Sequence, residues 1–466
     1  MGRGAEPAWW SLVIQPFLIV AYLIATAALL VVAMTTLAWM IDSWRTPRAL
    51  KQMPFPEPDE PRLSFSLIVP ARHEEAVLAD TVHRLLTQDH PDLEVIVVVG
   101  DDDPGTTAVA DDLARADRRV RVVVDDSVPK NKPKALNRAL AHCTGQITGV
   151  FDAEDEVAPQ LLRHIDACFR ATRAHVVQGG VQLMNYRSSW WALRNTLEYF
   201  FWFSSRLHFH ARNGFIPLGG NTVFIRTDLL RLVDGWDSGC LAEDCELGVR
   251  LSAAGARTAV AYSPELATRE ETPPTLKGLL KQRTRWNQGY LQVLRKGEWR
   301  RLPSKRKRMM ARYLLAMPFM QAGSGVLIPI SLVTMILFKA PPLFVLVTLI
   351  PLLPTLATLA IEVVGLSEFD RMFGLNVRLR DHVKLVLGTV PYQLLLAFAA
   401  IRASLREFRG ESSWEKTEHV GAHRVPVGVP QEVAVGAPID LPRGGRVESR
   451  LDAFFDSRFD ADGGIR

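Results

Sequence analysis

The fold is decided by a short apolar stretch that runs directly into acidic residues, ITGVFDAED at positions 147–155. Its apolar part, Ile147–Phe151, has the length of a buried β-strand. Three comparable stretches precede it along the chain, and helix-like segments separate them. These predicted strands are Phe65–Val69, Glu94–Val99 and Val120–Val124. Short apolar strands that alternate with helical patterns predict an α/β unit with a largely parallel sheet.

Polar residues follow the predicted strands at their carboxyl ends, where the ligands of parallel sheets gather. The first strand is followed by PARHEE at 70–75, and the second by GDDD at 100–103. We expect a nucleoside to lie at these two strand ends. A helix that opens with KPKALN at 132–137 can offer Lys132 to a ribose or a phosphate. His73 and the other isolated histidines are expected to have surface or packing roles.

The acidic run Asp152–Asp155 is a candidate cation site. Carboxylates two or three positions apart after a strand can share one hard cation, and Mg²⁺ prefers oxygen ligands together with substrate phosphates. Acidic strand ends are also common in ordinary surface loops. The run therefore predicts a metal site only in combination with other residues of the same pocket.

A second acidic pair, Glu243 and Asp244, precedes the helical pattern CELGVRLSAAG. Carboxylates at a helix start can simply cap the helix and complement its dipole. In the functional interpretation, one of the two is a general base that takes a proton from an acceptor hydroxyl. Both interpretations remain open from this motif alone.

The most specific signal is the sequence QRTRW at 282–286. Apolar residues over 275–295 have the spacing of an amphipathic helix, which places Gln282, Arg285 and Trp286 on one face. An indole can stack on a pyranose ring, while the amide and the guanidinium bind hydroxyls or a diphosphate. The three side chains together therefore indicate binding of a sugar acceptor.

The chain begins with a long apolar segment, Leu12–Ile41, which exceeds the roughly 20 residues that a membrane-spanning helix needs. It is too long for a signal peptide and is expected to be retained. Basic residues follow it, and a second basic cluster at 300–308 precedes the next apolar block. By the positive-inside rule, both ends of the central segment are predicted to lie at the cytosolic face.

Three further apolar blocks follow, Tyr313–Phe338, Leu343–Leu366 and Val383–Ala403. Three spans starting from the cytosol would leave the C-terminal tail outside, so we expect the third block to form an interfacial or re-entrant helix. The aromatic segment Trp190–Leu207 is predicted to lie at a membrane interface, with a core helix as the alternative.

Composition excludes some classes of protein. The net charge of +5 fits anionic lipid headgroups, whereas no basic-aromatic stripe or zinc spacing indicates nucleic acid as a partner. The four cysteines form no CxxC pair and are expected to be buried thiols.

Taken in order, the DxD-like element at 152–154, the acidic pair at 243–244 and QxxRW at 282–286 resemble a known family. They are similar to the membrane-bound family 2 processive glycosyltransferases: cellulose, hyaluronan and chitin synthases and related bacterial polysaccharide synthases. The resemblance covers roughly residues 60–420. Trp414–His419 (WEKTEH) further resembles the mobile gating loop of cellulose synthase. Two departures are Glu154 at the second DxD position and AED in place of TED at the acidic pair.

The resemblance implies an α/β GT-A cytosolic domain, Rossmann-like with a mostly parallel sheet, and an α-helical transmembrane region. It implies that Asp244 is the catalytic base. The implied donor-binding residues are Ala71, Glu74, Asp102, Lys132, Asp152, Arg285, Lys416 and Thr417. The implied acceptor-binding residues are Gly220, Asn221, Glu243, Gln282 and Trp286. The implied ligands of Mg²⁺ or Mn²⁺ are Asp152, Glu154 and Asp155.

The predicted organisation is an anchor at 1–45, a linker at 46–62 and a cytosolic glycosyltransferase domain with interfacial helices at 63–300. Transmembrane or interfacial helices at 301–410, a gating-loop-like segment at 411–425 and a poorly ordered tail at 426–466 would follow.

The expected activity is inverting, processive elongation of a β-linked polysaccharide at the membrane, coupled to export. The alternative is a single sugar addition to a lipid or lipid-linked acceptor. The expected donor is a UDP-sugar, with a GDP-sugar as the alternative. The other expected partners are the growing glycan or lipid-linked acceptor, the lipid membrane and accessory secretion subunits. The expected location is the plasma or inner membrane.

Overall fold

The computed structural model describes residues 15–45, 60–337 and 341–415. A seven-stranded sheet forms its centre, with the strand order β3-β2-β1-β4-β7-β5-β8, and β6 pairs with β9 in a separate two-stranded sheet. The strands are β1 (Phe65–Ala71), β2 (Leu93–Gly100), β3 (Val120–Asp125), β4 (Ile147–Val150), β5 (Val176–Gly179), β6 (Val181–Leu183), β7 (Val223–Arg226), β8 (Thr258–Ala261) and β9 (Thr268–Glu270).

Helices cover the sheet and continue beyond it. They are α1 (Gln15–Arg45), α2 (Leu78–Leu86), α3 (Pro104–Ala116), α4 (Lys132–Leu140), α5 (Leu161–Thr172), α6 (Ala192–Phe201), α7 (Leu207–Arg212), α8 (Thr227–Leu232), α9 (Glu243–Ala253), α10 (Leu276–Lys296), α11 (Lys305–Leu337), α12 (Pro342–Thr348), α13 (Leu352–Phe373) and α14 (Leu379–Phe408). One wider π-helical turn, Trp202–Arg206, joins α6 to α7.

The four predicted strands are confirmed to within two residues at each end. Strands β1, β2, β3 and β4 are parallel, whereas β7 runs antiparallel to both β4 and β5. The prediction of a largely parallel sheet is therefore confirmed. The apolar runs are continuous because both faces of these strands are covered. In β1, for example, Leu67 and Val69 pack into one hydrophobic layer while Ile68 packs into the other.

The chain order of the strands reverses beside β1. Strands β2 and β3 lie on one side of β1, and β4 lies on its other side, with Ile68 paired to Val150. Open α/β sheets bind ligands at such a switch point, beyond the carboxyl ends of the strands. The residues that follow β1 and β4 therefore emerge side by side at the ligand-binding edge.

The aromatic segment predicted to lie at a membrane interface packs largely inside the protein. Most of α6 is buried, and it contacts β6, α13 and α14. Within the aromatic segment Trp190–Leu207, only the first residue, Trp190, is well exposed. The segment thus forms a layer between the sheets and the long apolar helices.

Within the described part of the chain, four helices are long and apolar enough to cross a membrane: α1 over Ile19–Asp42, α11, α13 and α14. Their burial within the protein differs, from none of the apolar window in α11 to 39% of it in α14. The apolar block predicted to be interfacial thus also meets the length criterion, but it is the most protein-covered of the four. Its orientation stays a prediction, and the predicted tail at 426–466 lies outside the described residues.

Candidate active site

Lys132 joins several parts of the predicted site. It is the first residue of α4, whose N-cap Asn131 accepts a hydrogen bond from the backbone N–H of Lys134 at 3.0 Å. Its ammonium forms an ion pair with Asp152 and donates to the carbonyl oxygen of Gly220 at 3.0 Å. Burial by itself would lower the pKa of Lys132, but the surrounding carboxylates, Asp152 first and Glu243 next, raise it. The lysine is therefore charged.

The loop 219–222 brings backbone groups into this pocket. Gly219 donates its N–H to the side-chain oxygen of Gln178 at 2.8 Å, and Thr222 donates to the carbonyl of Val150 at 2.7 Å. A methyl group built on Gly220 would lie 3.1 Å from Oδ2 of Asp244. Glycine therefore lets the loop approach the carboxylate closely.

The acidic pair lies in the first turn of α9, as predicted. Glu243 is buried, whereas Asp244 is partly exposed and accepts a hydrogen bond from the N–H of Cys245 at 2.7 Å. Burial and then the charge of Asp244 raise the pKa of Glu243 to about 7. Burial also raises the pKa of Asp244, against the Cys245 hydrogen bond and the charges of Lys132 and Arg285. The titrations of the two carboxyls are therefore coupled.

The predicted amphipathic helix is confirmed as α10, and close packing brings it onto the start of α9. A methyl group built on Gly289 would lie 2.6 Å from the backbone nitrogen of Ala242, so only glycine permits this contact. Gln292 accepts a hydrogen bond from the N–H of Leu241 at 2.8 Å. These contacts position Arg285 near Glu243 and Asp244, close enough for its charge to act on both.

The predicted acceptor residues of α10 differ in their surroundings. Gln282 is buried, and its Oε1 has no hydrogen-bond partner within the described part of the chain. Trp286 is partly exposed, with its ring centroid 6.2 Å from that of Tyr199. The Arg285 guanidinium lies 4.5 Å from the ring centroid of Trp414. An amide oxygen without a partner, on the helix face that also carries Trp286, can receive a hydroxylated ligand.

Sequence reasoning missed Tyr199 and Glu270. Tyr199 lies on α6, and burial first and the charge of Glu270 next raise the pKa of its hydroxyl. Its segment shows only an aromatic pattern, which carries no sign of a site. Glu270 ends β9 and lies close enough to Asp155 for its charge to raise the pKa of that carboxyl, whereas a hydrogen bond with Asp155 lowers the pKa of Glu270. A lone glutamate on a short strand gives no sequence signal.

The carboxylates near β4 form a buried cluster. Both oxygens of Asp155 are engaged, one by the N–H of Asp152 at 2.8 Å and one by the side-chain amide of Asn221 at 3.0 Å. Asn221 also donates to Glu270. Burial, followed by the charges of Asp152 and Glu154, raises the pKa of Glu270 to about 8. Asp155 and Asn221 thus act within this network as supports of the turn.

The oxygen donors of this cluster bear on whether it can hold a divalent cation. Across the described ranges, no group of three or more His, Cys, Asp or Glu side chains forms a preformed metal site. Mg²⁺ is usually held by one or two carboxylates plus substrate phosphates, so a complete protein cage is not required. Asp152 is partly exposed at the strand end, and its donor atoms are hard oxygens. The excess of negative charge around it and Glu154 fits a cation bound together with a diphosphate.

The other predicted donor residues line the same edge of the sheet. Ala71 is the last residue of β1, and Glu74 follows it with its backbone N–H bonded to the hydroxyl of Thr106 at 3.0 Å. Asp102 is exposed and pairs with Arg72 at 2.6 Å, which lowers the pKa of this carboxyl. Lys416 and Thr417 lie outside the described residues.

Comparison with known proteins agrees with this geometry. A model of glycosyltransferase like family 2 matches residues 61–289. A β-monoglucosyldiacylglycerol synthase of Trichormus variabilis is 25% identical over 378 residues, covering 77% of this chain and 76% of the relative. The synthase of the same name from Nostoc is 28% identical over 229 residues, about half of each chain at 48%.

Two more distant proteins are also similar. A poly-β-1,6-N-acetyl-D-glucosamine synthase of Staphylococcus epidermidis is 24% identical over 246 residues, 52% of this chain and 58% of that one. A mannosyltransferase structure from Pyrobaculum calidifontis, in complex with GDP-Man and Mn²⁺, has a TM-score of 0.53 and 19% identity. It covers 84% of this chain and 99% of its own, which shows a shared fold.

Residues 61–289 therefore form a glycosyltransferase family 2 domain with the GT-A fold. The chain carries this domain and is a hexosyltransferase. The predicted fold and enzyme class are confirmed. The narrower resemblance to cellulose and chitin synthases is not, because the relatives include glycolipid synthases as well as a polysaccharide synthase.

Proposed function

We propose that this protein is an inverting membrane glycosyltransferase that transfers one hexose from a nucleotide-diphosphate sugar to a hydroxyl of a membrane lipid. One observation carries the proposal: Lys132 contacts both Asp152 and Gly220 and interacts with Glu243 and Asp244. Three distant stretches of sequence thereby meet in one pocket. The wall of this pocket is α10, which packs along the apolar helices α11 and α14.

Asp244 is the proposed general base. It is the more exposed member of the acidic pair, and it approaches the loop at Gly220. As a carboxylate it takes the proton of the acceptor hydroxyl, whose oxygen then forms a bond to the anomeric carbon. The bond from that carbon to the diphosphate breaks on the opposite face, which inverts the configuration. Its raised pKa favours this role, because a base works best when its pKa is near the working pH.

Positive charge is needed where the diphosphate departs. Arg285 and Lys132 are cationic side chains whose charges act on both members of the acidic pair, and Arg285 is held against the ring of Trp414. Asp152 and Glu154 would hold Mg²⁺ or Mn²⁺ together with the donor diphosphate. When bound, this cation supplies charge that stabilises the leaving group. Of the resemblance-derived residues, Ala71, Glu74 and Asp102 are proposed to contact the nucleoside.

A lipid acceptor is favoured by the surroundings of α10. Trp286 and Tyr199 form an aromatic wall that can stack on a sugar or cover an apolar chain. The same helix is continuous with a layer of long apolar helices, so a lipid could reach Asp244 from the bilayer. The longest curated match described above, to a β-monoglucosyldiacylglycerol synthase, supports the same acceptor class.

Processive polysaccharide synthesis is the second candidate. It is favoured by the similarity to the poly-β-1,6-N-acetyl-D-glucosamine synthase and by the WEKTEH element at 414–419. In this alternative, the product would be extended from the same Trp286 platform. A UDP-sugar is the proposed donor in both cases, and a GDP-sugar is the alternative.

The proposed location is the cell membrane, with the catalytic domain in the cytosol. The four long apolar helices and the basic residues that flank the domain favour this arrangement. Labelling of single introduced cysteines from either side of sealed membrane vesicles tests it. Accessibility of the domain from the extracytosolic side would contradict the proposal.

Product size separates the two candidates. The full chain is reconstituted in nanodiscs and incubated with UDP- and GDP-sugars, Mg²⁺ or Mn²⁺, and lipid acceptors. We expect one added hexose on a lipid, detected by mass spectrometry, and no product with Asp244→Asn. A ladder of polymer lengths would support the synthase instead, and donor turnover unchanged in Asp244→Asn would contradict the assigned base.

A further inference from the structure

Arg206 lacks a carboxylate of its own. It ends the wide helical turn between α6 and α7, and it forms no ion pair within the described part of the chain. The carboxylates whose charges act on it are Glu198 and Glu362. Glu198 is already paired with Arg283, and Glu362 accepts two hydrogen bonds from Arg194 at 2.9 and 3.3 Å.

Three arginines thus share two carboxylates in this layer. Burial lowers the pKa of Arg206, which reflects the cost of keeping a cation away from water. A buried charge is tolerated when it is paired and hydrogen-bonded. One more negative charge would therefore balance the third arginine, and a bound anionic ligand can supply it.

The surroundings of Arg206 are aromatic and contain unsatisfied polar atoms. Its guanidinium lies 5.1 Å from the ring centroid of Trp39, which belongs to α1. The rings of His210 and Tyr313 lie 5.7 and 6.0 Å from that of Trp39. His210 is fully buried, and neither of its ring nitrogens has a hydrogen-bond partner among the described residues. The hydroxyl of Tyr313 is likewise buried without a partner there.

These groups match the chemistry of a phosphate. A guanidinium binds phosphate oxygens with two parallel hydrogen bonds. Burial lowers the pKa of His210 to about 3, so its ring is neutral and offers one N–H donor. The hydroxyl of Tyr313 offers another donor. Trp39 lies near the cytosolic end of a helix long enough to span a membrane, a level at which tryptophan favours lipid headgroups.

The cluster is also next to the reaction centre. Trp39 and Cys245, which follows Asp244, belong to one hydrophobic cluster, and Tyr290 of α10 and Tyr313 pack against it. The charges of both Asp244 and Arg206 act on the hydroxyl of Tyr290. A lipid whose hydroxyl reaches Asp244 could therefore place a second polar group of the same headgroup beside Arg206.

We propose that Trp39, Arg206, His210 and Tyr313 form a subsite for the phosphate of an anionic lipid acceptor, which presents its hydroxyl to Asp244. The acceptor thus carries a phosphodiester in addition to the hydroxyl that receives the sugar. This inference rests on the proposed transfer to a lipid and narrows its acceptor class.

Acceptor choice tests the inference. The full chain in phosphatidylcholine nanodiscs is given either phosphatidylglycerol, which has a phosphate and free hydroxyls, or diacylglycerol, which has a hydroxyl only. We expect kcat/KM to be at least about ten-fold higher with phosphatidylglycerol, because a hydrogen bond to a charged group contributes roughly 1.5–3 kcal/mol. Arg206→Gln should remove this preference and leave the diacylglycerol rate within about two-fold.

Arg212 provides a matched control. It lies six residues further along the same helical segment and also faces α1, but it is paired with Asp42 at 2.5 Å. Arg212→Gln should leave the acceptor preference unchanged. Arg206→Lys keeps the charge and loses the bidentate geometry, so we expect an intermediate preference, which also guards against a folding defect in Arg206→Gln.

A binding measurement separates this inference from the proposed function. Native mass spectrometry of the detergent-solubilised chain, without donor, should show retention of phosphatidylglycerol over phosphatidylcholine in the wild type and not in Arg206→Gln. If binding follows this pattern but no lipid receives sugar, the proposed transfer is wrong and the subsite stands. If diacylglycerol is glycosylated as well as phosphatidylglycerol and Arg206→Gln changes nothing, the subsite is wrong. Equal retention of inorganic phosphate, with no preference between the lipids, would also overturn it.

Discussion

The two sides of the pocket differ in the sign of their charge. At the strand ends, the buried carboxylates Asp155 and Glu270 lie close to Asp152 and Glu154, and the pKa values of Asp155 and Glu270 are raised. In the helical layer, the arginines outnumber the carboxylates, and Arg206 is surrounded by aromatic rings. Each side therefore lacks counter-charge, positive at the strand ends and negative in the helical layer. The acidic side fits a cation with a diphosphate, and the basic side fits an anionic lipid.

Between them lie Lys132 and Arg285, with Asp244 at the boundary. A boundary of this kind is where a donor bound on one side and an acceptor bound on the other can react. Substitutions at the boundary, on the acidic side and at the acceptor wall should therefore affect sugar transfer in different ways.

The largest effect is expected at the boundary. Asp244→Asn keeps the size of the side chain and its acceptor for the N–H of Cys245, but it removes the base. Loss of a general base costs about 10²–10⁴ in rate, so kcat should fall by about 10³. Initial rates of sugar transfer measure this, and calorimetric titration with the nucleotide should show unchanged binding.

Asp228→Asn is the matched control for that change. Asp228 also lies in the first turn of a helix and accepts a hydrogen bond from the following N–H at 2.7 Å. However, its side chain is exposed, and it lies on the side of the domain away from the proposed active site. Its replacement should leave transfer unaffected. Equal activity of both variants would remove Asp244 from the mechanism.

The next effect is expected on the acidic side. Asp152→Asn removes the partner of Lys132 and a proposed cation ligand. We expect kcat/KM to fall by about 10²–10³, the usual cost of losing one preorganised charge at a leaving group. Titration of the wild type with EDTA should abolish transfer, and Mn²⁺ or Mg²⁺ should restore it. Full activity in EDTA would show that side chains alone stabilise the diphosphate.

A smaller effect is expected at the acceptor wall. Trp286→Ala should raise the acceptor KM by about ten-fold, equivalent to about 1.4 kcal/mol, with little change in donor KM. Trp286→Phe keeps an aromatic face next to Tyr199 and should lose much less. A change confined to the donor KM would show that the indole contacts the donor rather than the acceptor.

The smallest effect concerns pH. Because the base must be a carboxylate, kcat/KM should fall as the pH drops through the pKa of Asp244, which burial raises above its ordinary value. Glu243→Gln removes one neighbouring carboxylate, so Asp244 should lose its proton more easily. The acid limb of the pH profile should then move down by about one unit. An acid limb that Glu243→Gln leaves unmoved would mean that another group controls the rate.

The positions of the strands could be read from the sequence with few errors. Strands β1 and β2 are covered on both faces, so their residues form continuous apolar runs that stand out from their surroundings. The QRTRW helix was equally clear, because its apolar spacing is local. By contrast, the sequence could not decide between a membrane interface and a protein interior for α6, because a helix with aromatic residues on several sides suits both environments.

The candidate site was predictable in part. Asp152, Asp244 and Arg285 lie in motifs whose order along the chain is informative, and the fold brings them together. Tyr199, Glu270 and Arg206 carry no such pattern, because their importance arises from neighbours that are distant in sequence. Asp155 and Asn221 are hydrogen-bonded to each other, and each has a further partner, the N–H of Asp152 for Asp155 and the carboxylate of Glu270 for Asn221. Their contact with a ligand stays a prediction.

The parallel sheet, the apolar helices and the types of side chain available for sugar transfer can be read from the amino-acid sequence. These follow from local periodicity and composition, which act over a few residues. The folded chain is needed to know which of the charged groups face one another, and therefore that one side of the pocket has excess negative charge and the other excess positive charge. Electrostatic balance depends on distance through space and on exclusion from water, and neither is encoded at any single position of the chain.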